Sequence, residues 1–352
     1  MKAKTDPSAD TPKSASKEQR RLQMADIARL AGVSTSTVSR ALSGSSLVND
    51  ETRQRIAELA RSLKYSINID ARNLRLKQTR TIAVVVPFDS ETRQHLSDPF
   101  FLGILGSLAD ALTDRGFDML LSRIDAEHLD NAAQIFDTGR VLGVILIGQW
   151  RHHDQLNQLA ARHVPIVVWG AQLPQQLYVT VGSDNVTGGQ KATEHLIQSG
   201  RKRIAFFGDT QLPEVAQRYE GYCKALAQYH IPLDDKLVVP ASFIEEGGKL
   251  AVAELCSRKV PFDALFACSD LLAMTSINSL REYHYRVPDD VAVVGYDDIE
   301  LARYFHPPLS TIRQPMAQAG LALVDALLKL IEDGDSKAQL LPTELMVRAS
   351  SV

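Results

Sequence analysis

The stretch MADIARLAGVSTSTVSRAL, residues 24 to 42, decides how the first part of this 352-residue chain folds. Its apolar residues recur at helical spacing on both sides of a Gly32-Val33-Ser34 turn, which predicts two short helices, Met24–Ala31 and Thr35–Leu42. Gly32 is placed to end the first helix and Ser34 to cap the second. A third helix is predicted over 50–63, with Asn49 as its N-cap.

Apolar side chains from these three helices are expected to form one small core, and together they define a helical unit over residues 22–66. The predicted core residues are Ile27, Leu30, Val33, Val38, Leu42, Ile56, Leu59 and Leu63.

The tight turn and the hydroxyl-rich start of the second helix are typical of a helix-turn-helix, whose second helix enters the major groove of DNA. On this interpretation Thr35, Ser36 and Arg40 face base edges, and Arg40 can contact guanine in a bidentate manner. Thr37 and Ser39 are better placed for phosphate oxygens, which position the helix without reading sequence. An ordinary helical hairpin with a hydroxyl-rich cap is the alternative that this local pattern leaves open.

The charges divide the chain unevenly. Residues 1–80 contain 16 Lys and Arg against 8 Asp and Glu, whereas the remainder contains 23 against 34. A basic head on an acidic body is expected where only the head approaches phosphates. A solvated, disordered basic tail would give the same imbalance, and residues 1–21, which are almost entirely polar, are predicted to be such a tail.

Beyond Thr79, short apolar runs alternate with longer helical stretches, which predicts parallel sheets with helices on both faces. Strands are predicted at 81–87, 117–122, 142–148, 164–169, 203–208, 264–267 and 291–295. Helices are predicted at 102–115, 188–199, 218–229, 247–257 and 271–283. The length from residue 80 to 352 suits two doubly wound sheets better than one, so a ligand crevice between them is expected.

Several classes of protein are not supported. No GxGxxG follows a strand, and GxxxxGK[ST], GxSxG and HExxH are missing, so we predict no catalytic residue and no cofactor. His152 and His153 are adjacent, which favours a solvated loop over a metal site. Cys223, Cys256 and Cys268 form no CxxC pair and are expected to be buried small residues rather than disulfide or zinc ligands.

Membrane insertion and export are not indicated either. No apolar run approaches the roughly 20 residues that cross a bilayer, and residues 1–23 lack the apolar segment of a secretory signal. A cytoplasmic protein is therefore expected.

Several motifs in register make the chain resemble the LacI/GalR family of transcriptional regulators over residues 24–350. Besides residues 24–42, they are VNDETR at 48–53, VGSDNVTGG at 181–189, RYEGY at 218–222, SDLLA at 269–273, GYDD at 295–298, HPPLSTIRQ at 306–314 and ELMVR at 344–348. The resemblance implies an all-α helix-turn-helix head and an α/β sensor with two doubly wound parallel-sheet subdomains, like periplasmic binding proteins.

The resemblance also implies domain limits. A tail over 1–21 precedes a DNA-binding head over 22–66, a hinge over 67–79, and an effector-binding and dimerisation domain over 80–352. Within that domain the N-subdomain covers about 80–181 and 312–341, and the C-subdomain about 182–311 and 342–352.

The segment YSINIDARNLR at 65–75 resembles the family's hinge, where a short helix forms when two subunits meet on DNA. Its leucine, here Leu74, would wedge into the minor groove, and an apolar wedge of this kind exchanges base stacking for a bent, better-wrapped duplex. Ile67 stands where the family usually has proline, and the sequence does not predict the effect of this difference. Without the resemblance, this segment would be interpreted as a linker.

The family's effector site maps onto aromatic and polar residues from both subdomains. They are Phe100, Phe101, Trp169, Arg218, Phe243, Ser269 and Asp297. Arg218 and Asp297 would bind sugar hydroxyl groups, and the aromatic rings would pack against C–H groups; taken without the resemblance, the same aromatics would be interpreted as core. Ser269 stands where the family commonly has asparagine. Gly170 replaces a residue that is often polar, which would leave room for a second ring and suggests a glucose-containing disaccharide.

The family further implies a homodimer on a pseudo-palindromic double-stranded operator, released when a sugar closes the cleft, and a role as repressor of carbohydrate-utilisation genes. No heptad-patterned helix follows residues 344–348, so a dimer is the simplest expectation. A solute-binding transport protein and a sugar-active enzyme on the same fold are the alternatives. The sequence leaves open the effector, the operator, whether the effector is an inducer or a corepressor, and whether the protein represses or activates.

Overall fold

The structure, a computed structural model, describes residues 23–42, 45, 47–63, 79–89, 94–244 and 246–352. The chain divides into two compact units, within residues 1–78 and 79–352. The predicted tail and almost all of the predicted hinge, with Ile67 and Leu74, lie outside the described residues.

Three helices make up the first unit: α1 (Met24–Ala31), α2 (Thr35–Leu42) and α3 (Asp50–Ser62). Gly32 ends α1 in the left-handed conformation, with φ of 66°, which glycine adopts without strain. The Ser34 hydroxyl accepts a hydrogen bond from the Thr37 backbone N–H at 3.1 Å, and Asn49 accepts one from Thr52 at 2.8 Å. The predicted caps of α2 and α3 are therefore confirmed.

The core of this unit differs from the prediction at Leu30, whose side chain is 56% exposed. The buried face of α1 is formed by Ile27 and Ala28, with Ala31 packed against them. At about 100° per residue, Ala28 lies on one side of Ile27 and Leu30 on the other, so a core that contacts Ala28 leaves Leu30 in solvent. The prediction for Leu30 was wrong because the spacing of apolar residues in α1 does not by itself show which side of the helix is at the centre of the buried face.

The first sheet of the second unit has the order β11-β5-β4-β3-β1-β2, and all of its neighbouring strands are parallel. Its strands are β1 (Thr81–Phe88), β2 (Asp118–Asp125), β3 (Val144–Ile147), β4 (Ile166–Trp169), β5 (Val179–Ser183) and β11 (Gln339–Leu341). The helices that pack with it are α4 (Pro99–Asp114), α5 (Asn131–Asp137), α6 (His153–Ala161) and α12 (Met316–Asp333).

Strand β1 shows why this sheet is parallel and doubly covered. Ile82 and Val84 point into a core with α4 and α12, whereas Ala83 and Val85 point into a second core with α5 and α6. An unbroken apolar run is stable in a strand only when both faces of the sheet are buried, which βαβ crossovers achieve.

The second sheet has the order β12-β10-β9-β8-β6-β7, and its neighbours are parallel except for the antiparallel pair β10 and β12. Its strands are β6 (Ile204–Phe207), β7 (Val238–Val239), β8 (Ala264–Ala267), β9 (Ala292–Asp297), β10 (Ser310–Arg313) and β12 (Glu344–Met346). The associated helices are α7 (Asn185–Gln198), α8 (Pro213–Gln228), α9 (Gly247–Ser257), α10 (Asp270–Glu282) and α11 (Leu301–Tyr304).

The chain passes between the two sheets after β5, after β10 and between β11 and β12. The subdomain limits expected at residues 181 and 311 fall inside β5 and β10, two residues before each strand ends. Each subdomain is thus discontinuous in sequence, and a hydrogen bond from the Asp184 N–H to the Leu341 carbonyl oxygen joins the start of the segment that follows β5 to the last residue of β11.

Two further expectations concern the cysteines and membrane-spanning helices. Cys268 is buried, but Cys223 and Cys256 are partly exposed, so the prediction of three buried cysteines was wrong for two of them. Within the described ranges, no helix is both long enough and apolar enough to span a membrane.

Candidate functional site

A cleft lies between the two subdomains of the second unit, at the carboxyl ends of β3, β4, β8 and β9. Its empty volume is about 780 Å³, part of which is open to solvent. The structure brings all seven residues of the expected effector site to its walls: Phe100, Phe101, Trp169, Arg218, Phe243, Ser269 and Asp297. A crevice at the carboxyl ends of parallel strands is where α/β proteins of this type bind ligands.

Arg218 is the central polar group of the cleft, and only 6% of the residue is exposed. Its Nε donates a hydrogen bond to Asn185 Oδ1 at 2.9 Å, and its Nη1 donates to the backbone oxygen of Cys268. The guanidinium carbon lies 3.8 Å from the centre of the Tyr296 ring. No hydrogen bond joins Nη2 to the described part of the chain, so this nitrogen can donate to a ligand oxygen.

Asp297 ends β9 and is 8% exposed. Its Oδ1 accepts a hydrogen bond from Gln314 Nε2 at 2.7 Å. Burial, reinforced by the negative charge of Asp98 and opposed by Arg218, raises the pKa of Asp297 to about 7. Near neutral pH the Asp297 carboxyl group can therefore donate a hydrogen bond to a ligand hydroxyl group when it is protonated, or accept one from that group when it is ionised.

Ser269 caps helix α10 by accepting a hydrogen bond from the Leu272 backbone N–H at 3.2 Å. Its hydroxyl proton remains able to reach a ligand, whereas an asparagine at this position would offer two donors.

The aromatic side chains form apolar walls around these polar groups. Trp169 and Phe101 are almost fully buried at the base, while Phe100 and Phe243 are half-buried. The combination of apolar walls with a few converging polar groups is the usual composition of a small-molecule site.

The expectation that Gly170 leaves room for a second ring was wrong. A Cβ atom built on Gly170 would lie 2.6 Å from Gln149 Cγ, because the buried Gln149 side chain occupies that space. Gln149 donates to the Ala171 carbonyl at 2.7 Å and to the Tyr178 hydroxyl at 2.9 Å, and accepts from the Ala171 N–H at 2.8 Å. These bonds hold the amide in place, and Gly170 does not line the cleft.

Sequence reasoning missed ten residues that line the cleft: Gln94, Asp98, Ile147, Gly148, Trp150, Leu212, Glu214, Val215, Leu271 and Ile299. The predicted end of β3 could have indicated Gly148 and Trp150, since residues just after parallel strands line such crevices. For Glu214 the available signal was Pro213, because proline is favoured at the first position of a helix and so indicates where α8 begins.

An ion pair spans the outer part of the cleft. Arg151 follows β3 and Asp209 follows β6, and their side chains meet at an N–O distance of 2.5 Å. Both side chains are partly exposed, so the pair stabilises contact between the subdomains by about 1 kcal/mol at most. A hydrogen bond from Gln217 Nε2 to the Gln172 carbonyl oxygen, at 3.3 Å, also joins the two subdomains.

The first unit presents its predicted DNA-contacting residues on α2. Thr35, Ser36 and Arg40 are exposed, and Thr37 and Ser39 are half-buried. The Ser34 hydroxyl lies 2.8 Å from both the Ser36 and Thr37 hydroxyls. This cluster fixes the first turn of α2.

Replacing Asp297 with asparagine is expected to change how stability depends on pH. The pKa of Asp297 in the folded protein, about 7, exceeds the ordinary value of 3.8, so the folded state holds the proton more tightly. The stability that this residue contributes therefore falls as pH rises from about 4 to about 7. Denaturant unfolding at pH 5 and pH 8 should show the variant gaining up to about 2 kcal/mol relative to wild type at the higher pH.

The control for this experiment is Asp290→Asn. Asp290 is partly exposed, and its hydrogen bonds with Arg286 lower its pKa to about 2, so it stays ionised between pH 5 and 8 in both folded and unfolded states. The Asp290 variant should differ from wild type by a constant amount over this range. A constant difference for Asp297→Asn as well would contradict the assignment.

Comparison with known protein families gives one match in each of the two units of the chain. The family profile "Bacterial regulatory proteins, lacI family" matches residues 23–68, and "Periplasmic binding protein-like domain" matches residues 193–351. The HTH-type transcriptional regulator CelR of Thermobifida fusca is 36% identical over 94% of this chain and 99% of its own length. This chain belongs to the LacI family. The HTH-type transcriptional repressor PurR of Mannheimia succiniciproducens is 31% identical over 92% of this chain and 97% of its own length.

Solved structures of LacI-family proteins share the fold. A complex of the transcriptional regulator CelR with cellobiose has a TM-score of 0.70 and 33% identity, covering 94% of this chain and all of the other. The lac repressor dimer bound to operator and the anti-inducer ONPF has a TM-score of 0.81 and 25% identity, covering 95% of this chain and all of the other. The expected fold class is confirmed, and this LacI-family chain is a DNA-binding transcriptional regulator, not an enzyme.

Proposed function

We propose that this LacI-family regulator acts in the cytoplasm as a homodimer on a pseudo-palindromic operator, and that a small sugar bound in the cleft controls its affinity for DNA. The observation that carries the proposal is the meeting of Arg218, Ser269 and Asp297 within apolar, aromatic walls at the carboxyl ends of two parallel sheets. Converging hydroxyl-binding groups beside aromatic faces suit a saccharide.

A disaccharide that contains glucose is the proposed effector. A solved structure that is 33% identical to this chain is a complex of the transcriptional regulator CelR with cellobiose, a disaccharide of glucose, which supports this proposal. The regulated genes would then serve carbohydrate use, with the protein as their repressor.

The proposed head reads DNA through α2. Thr35, Ser36 and Arg40 face base edges, Thr37 and Ser39 contact phosphates, Asn49 is a further DNA-binding residue, and Leu74 enters the minor groove. The exposure of the first three side chains supports this assignment. Asn49 also caps α3, so its side chain has a structural role in addition to the proposed contact with DNA.

The effector can release DNA only if it binds the released conformation more tightly than the DNA-bound one, since equal affinity for both shifts nothing. A ligand that contacts both walls of the cleft has this property, because its contacts exist together only in the closed arrangement. The Arg151–Asp209 pair adds to the same state.

The test has two stages. An operator is selected from random duplexes by the purified full-length protein, and its dissociation constant is then measured by fluorescence anisotropy with and without saturating cellobiose, maltose or lactose. We expect one sugar to change operator affinity at least tenfold, an allosteric coupling of typical size. Unchanged operator affinity with a sugar shown by calorimetry to be bound would refute the proposal.

Replacing Arg40 with alanine is expected to weaken operator binding by about 1–3 kcal/mol, because a bidentate contact with guanine is lost. The loss should concentrate at one base pair of each half-site, where the preference among bases relaxes. Binding of the variant to a set of single-substitution operators measures this directly.

Ser39→Ala is the matched variant on the same helix. Since a phosphate contact carries no sequence information, its loss should weaken binding to all duplexes alike. A uniform loss for Arg40→Ala would contradict its role as a base reader.

A further inference from the structure

The cleft contains more negative charge than the seven expected residues indicated. Asp98 and Glu214 line it together with Asp297, and Asp98 lies close enough for its charge to raise the pKa of Asp297. Within the described lining, Arg218 is the sole cationic side chain. Up to three carboxyl groups therefore surround one guanidinium.

The single cation is already committed to the protein. Arg218 bonds Asn185 and the Cys268 carbonyl through Nε and Nη1, and it stacks on Tyr296. These bonds use two of its five N–H groups and hold the guanidinium in one orientation, so the remaining N–H groups can donate to a ligand only from that fixed position.

Glu214 stands out among these carboxyl groups because of its surroundings. It lies half-buried in the first turn of α8 between the apolar neighbours Leu212 and Val215, which line the same wall. Burial raises the pKa of Glu214, and the backbone N–H groups of Glu214 and Gln149 together with the charge of Arg218 counteract that rise. These interactions offset only part of the rise, and Glu214 places an acidic group beside Arg218 in the wall of an otherwise apolar surface.

We propose that the cleft selects uncharged saccharides and rejects their anionic counterparts, such as aldonic acids, uronic acids and phosphosugars, and that Glu214 is the specificity-determining residue. This inference rests on the proposed sugar-sensing function and specifies the class of sugar. A ligand carboxylate placed in the cleft meets the acidic side chains of Asp98, Glu214 and Asp297 and a single cation, whereas an uncharged hydroxyl group meets no like charge. Glu214 accepts hydrogen bonds from the hydroxyl groups of the neutral sugar.

The experiment uses pairs of ligands that differ in charge with little change in size: cellobiose and cellobionate, maltose and maltobionate, lactose and lactobionate, and glucose and glucuronate. Isothermal titration calorimetry of the full-length protein at pH 8 measures each dissociation constant. We expect a neutral sugar to bind at least about a hundredfold more tightly than its acid, a discrimination that unpaired like charge can supply.

Glu214→Gln keeps the shape of the side chain and removes its charge. We expect this variant to reduce the preference for the neutral member of the pair at least tenfold by gaining affinity for the acid. Glu220→Gln, on the exposed side of the same helix beside Lys224, is the control and should leave the preference unchanged. Thermal unfolding of each variant, monitored by circular dichroism, verifies that the fold is intact.

The outcomes separate the two proposals. Equal affinity of the wild type for a sugar and its acid, or an unchanged preference in Glu214→Gln, would overturn the selectivity while leaving sugar sensing in place. Binding of neither member of any pair would overturn sugar sensing and the selectivity together.

Discussion

Replacing Arg218 with methionine is expected to weaken effector binding by two orders of magnitude or more and to leave the protein on its operator at sugar concentrations that release the wild type. Truncating one partner of a buried, hydrogen-bonded charge costs about 2–5 kcal/mol, or roughly 30-fold to several thousandfold in affinity. The cost at Arg218 has three sources. The ligand loses its Nη2 donor, Asn185 Oδ1 and the Cys268 carbonyl lose theirs, and the carboxyl groups of the cleft lose their counter-charge.

Calorimetry with the effector and anisotropy with the operator distinguish a local from a global effect. The Arg218 variant should keep the operator affinity of the sugar-free wild type, because the head is a separate compact unit. Arg286→Met removes the same charge from an exposed position paired with Asp290 and should change neither measurement. Arg218→Met with full effector affinity would show that the ligand does not contact this guanidinium.

The parts of the fold that the sequence predicts well depend on local interactions. Helix α2 begins at Thr35 because the Ser34 hydroxyl bonds the Thr37 N–H, and α1 ends at Gly32 because glycine accepts positive φ. Strand β1 is recognised because an apolar run of that length fits a doubly covered strand. In each case the deciding atoms lie within a few residues of one another.

Strand β10 shows what sequence alone could not predict. Ser310 and Thr311 are fully buried although both are polar. They are satisfied by partners far away in sequence, since the Ser310 N–H donates to Ser350 at 2.8 Å and the Thr311 hydroxyl donates to Asp270 at 2.5 Å. Such a strand resembles a polar loop until its partners are known.

Helix α12 was overlooked for a different reason, because its signal was present. Residues 316–333 carry leucine, valine and alanine at helical spacing and are followed by Gly334, which ends the helix with φ of 73°. The face with Leu323 and Leu327 packs on the first sheet.

The candidate site likewise contains some residues that the sequence predicted and others that it did not. Seven of its residues were placed by resemblance to a family, which transfers positions but not the surroundings that this chain builds around them. Glu214 and Asp98 enter the cleft because Pro213 and Pro99 fix the first turns of α8 and α4, and Gln149 fills the space beside Gly170. The prolines are local signals for where the two helices begin, but which of the neighbouring residues reach the cleft depends on packing between elements.

Replacing Gly221 with alanine is expected to lower the free energy of unfolding of the sensor by about 3 kcal/mol, the usual upper cost of overpacking, and its midpoint temperature by several degrees. Helix propensity alone predicts the opposite sign, since alanine is favoured over glycine within a helix by about 1 kcal/mol. We expect the steric clash to outweigh the gain in helix propensity. A Cβ atom at Gly221 would lie 2.1 Å from the Val186 carbonyl oxygen and 2.6 Å from the Gln190 nitrogen, both backbone atoms of α7 that cannot rotate away.

Helices α7 and α8 must therefore move apart in the variant, and we expect this movement to alter the effector cleft. Asn185 at the start of α7 bonds Arg218, which precedes Gly221 by one turn on α8, so a shift between the helices also moves the guanidinium. We expect Gly221→Ala to weaken effector binding as well as stability, measured by calorimetry and denaturant unfolding. Lys224→Ala on the exposed side of α8 is the control, and should leave both nearly unchanged because its ion pair with Glu220 is solvated. A more stable Gly221 variant would mean that propensity outweighs contact and that the two helices have room to spare.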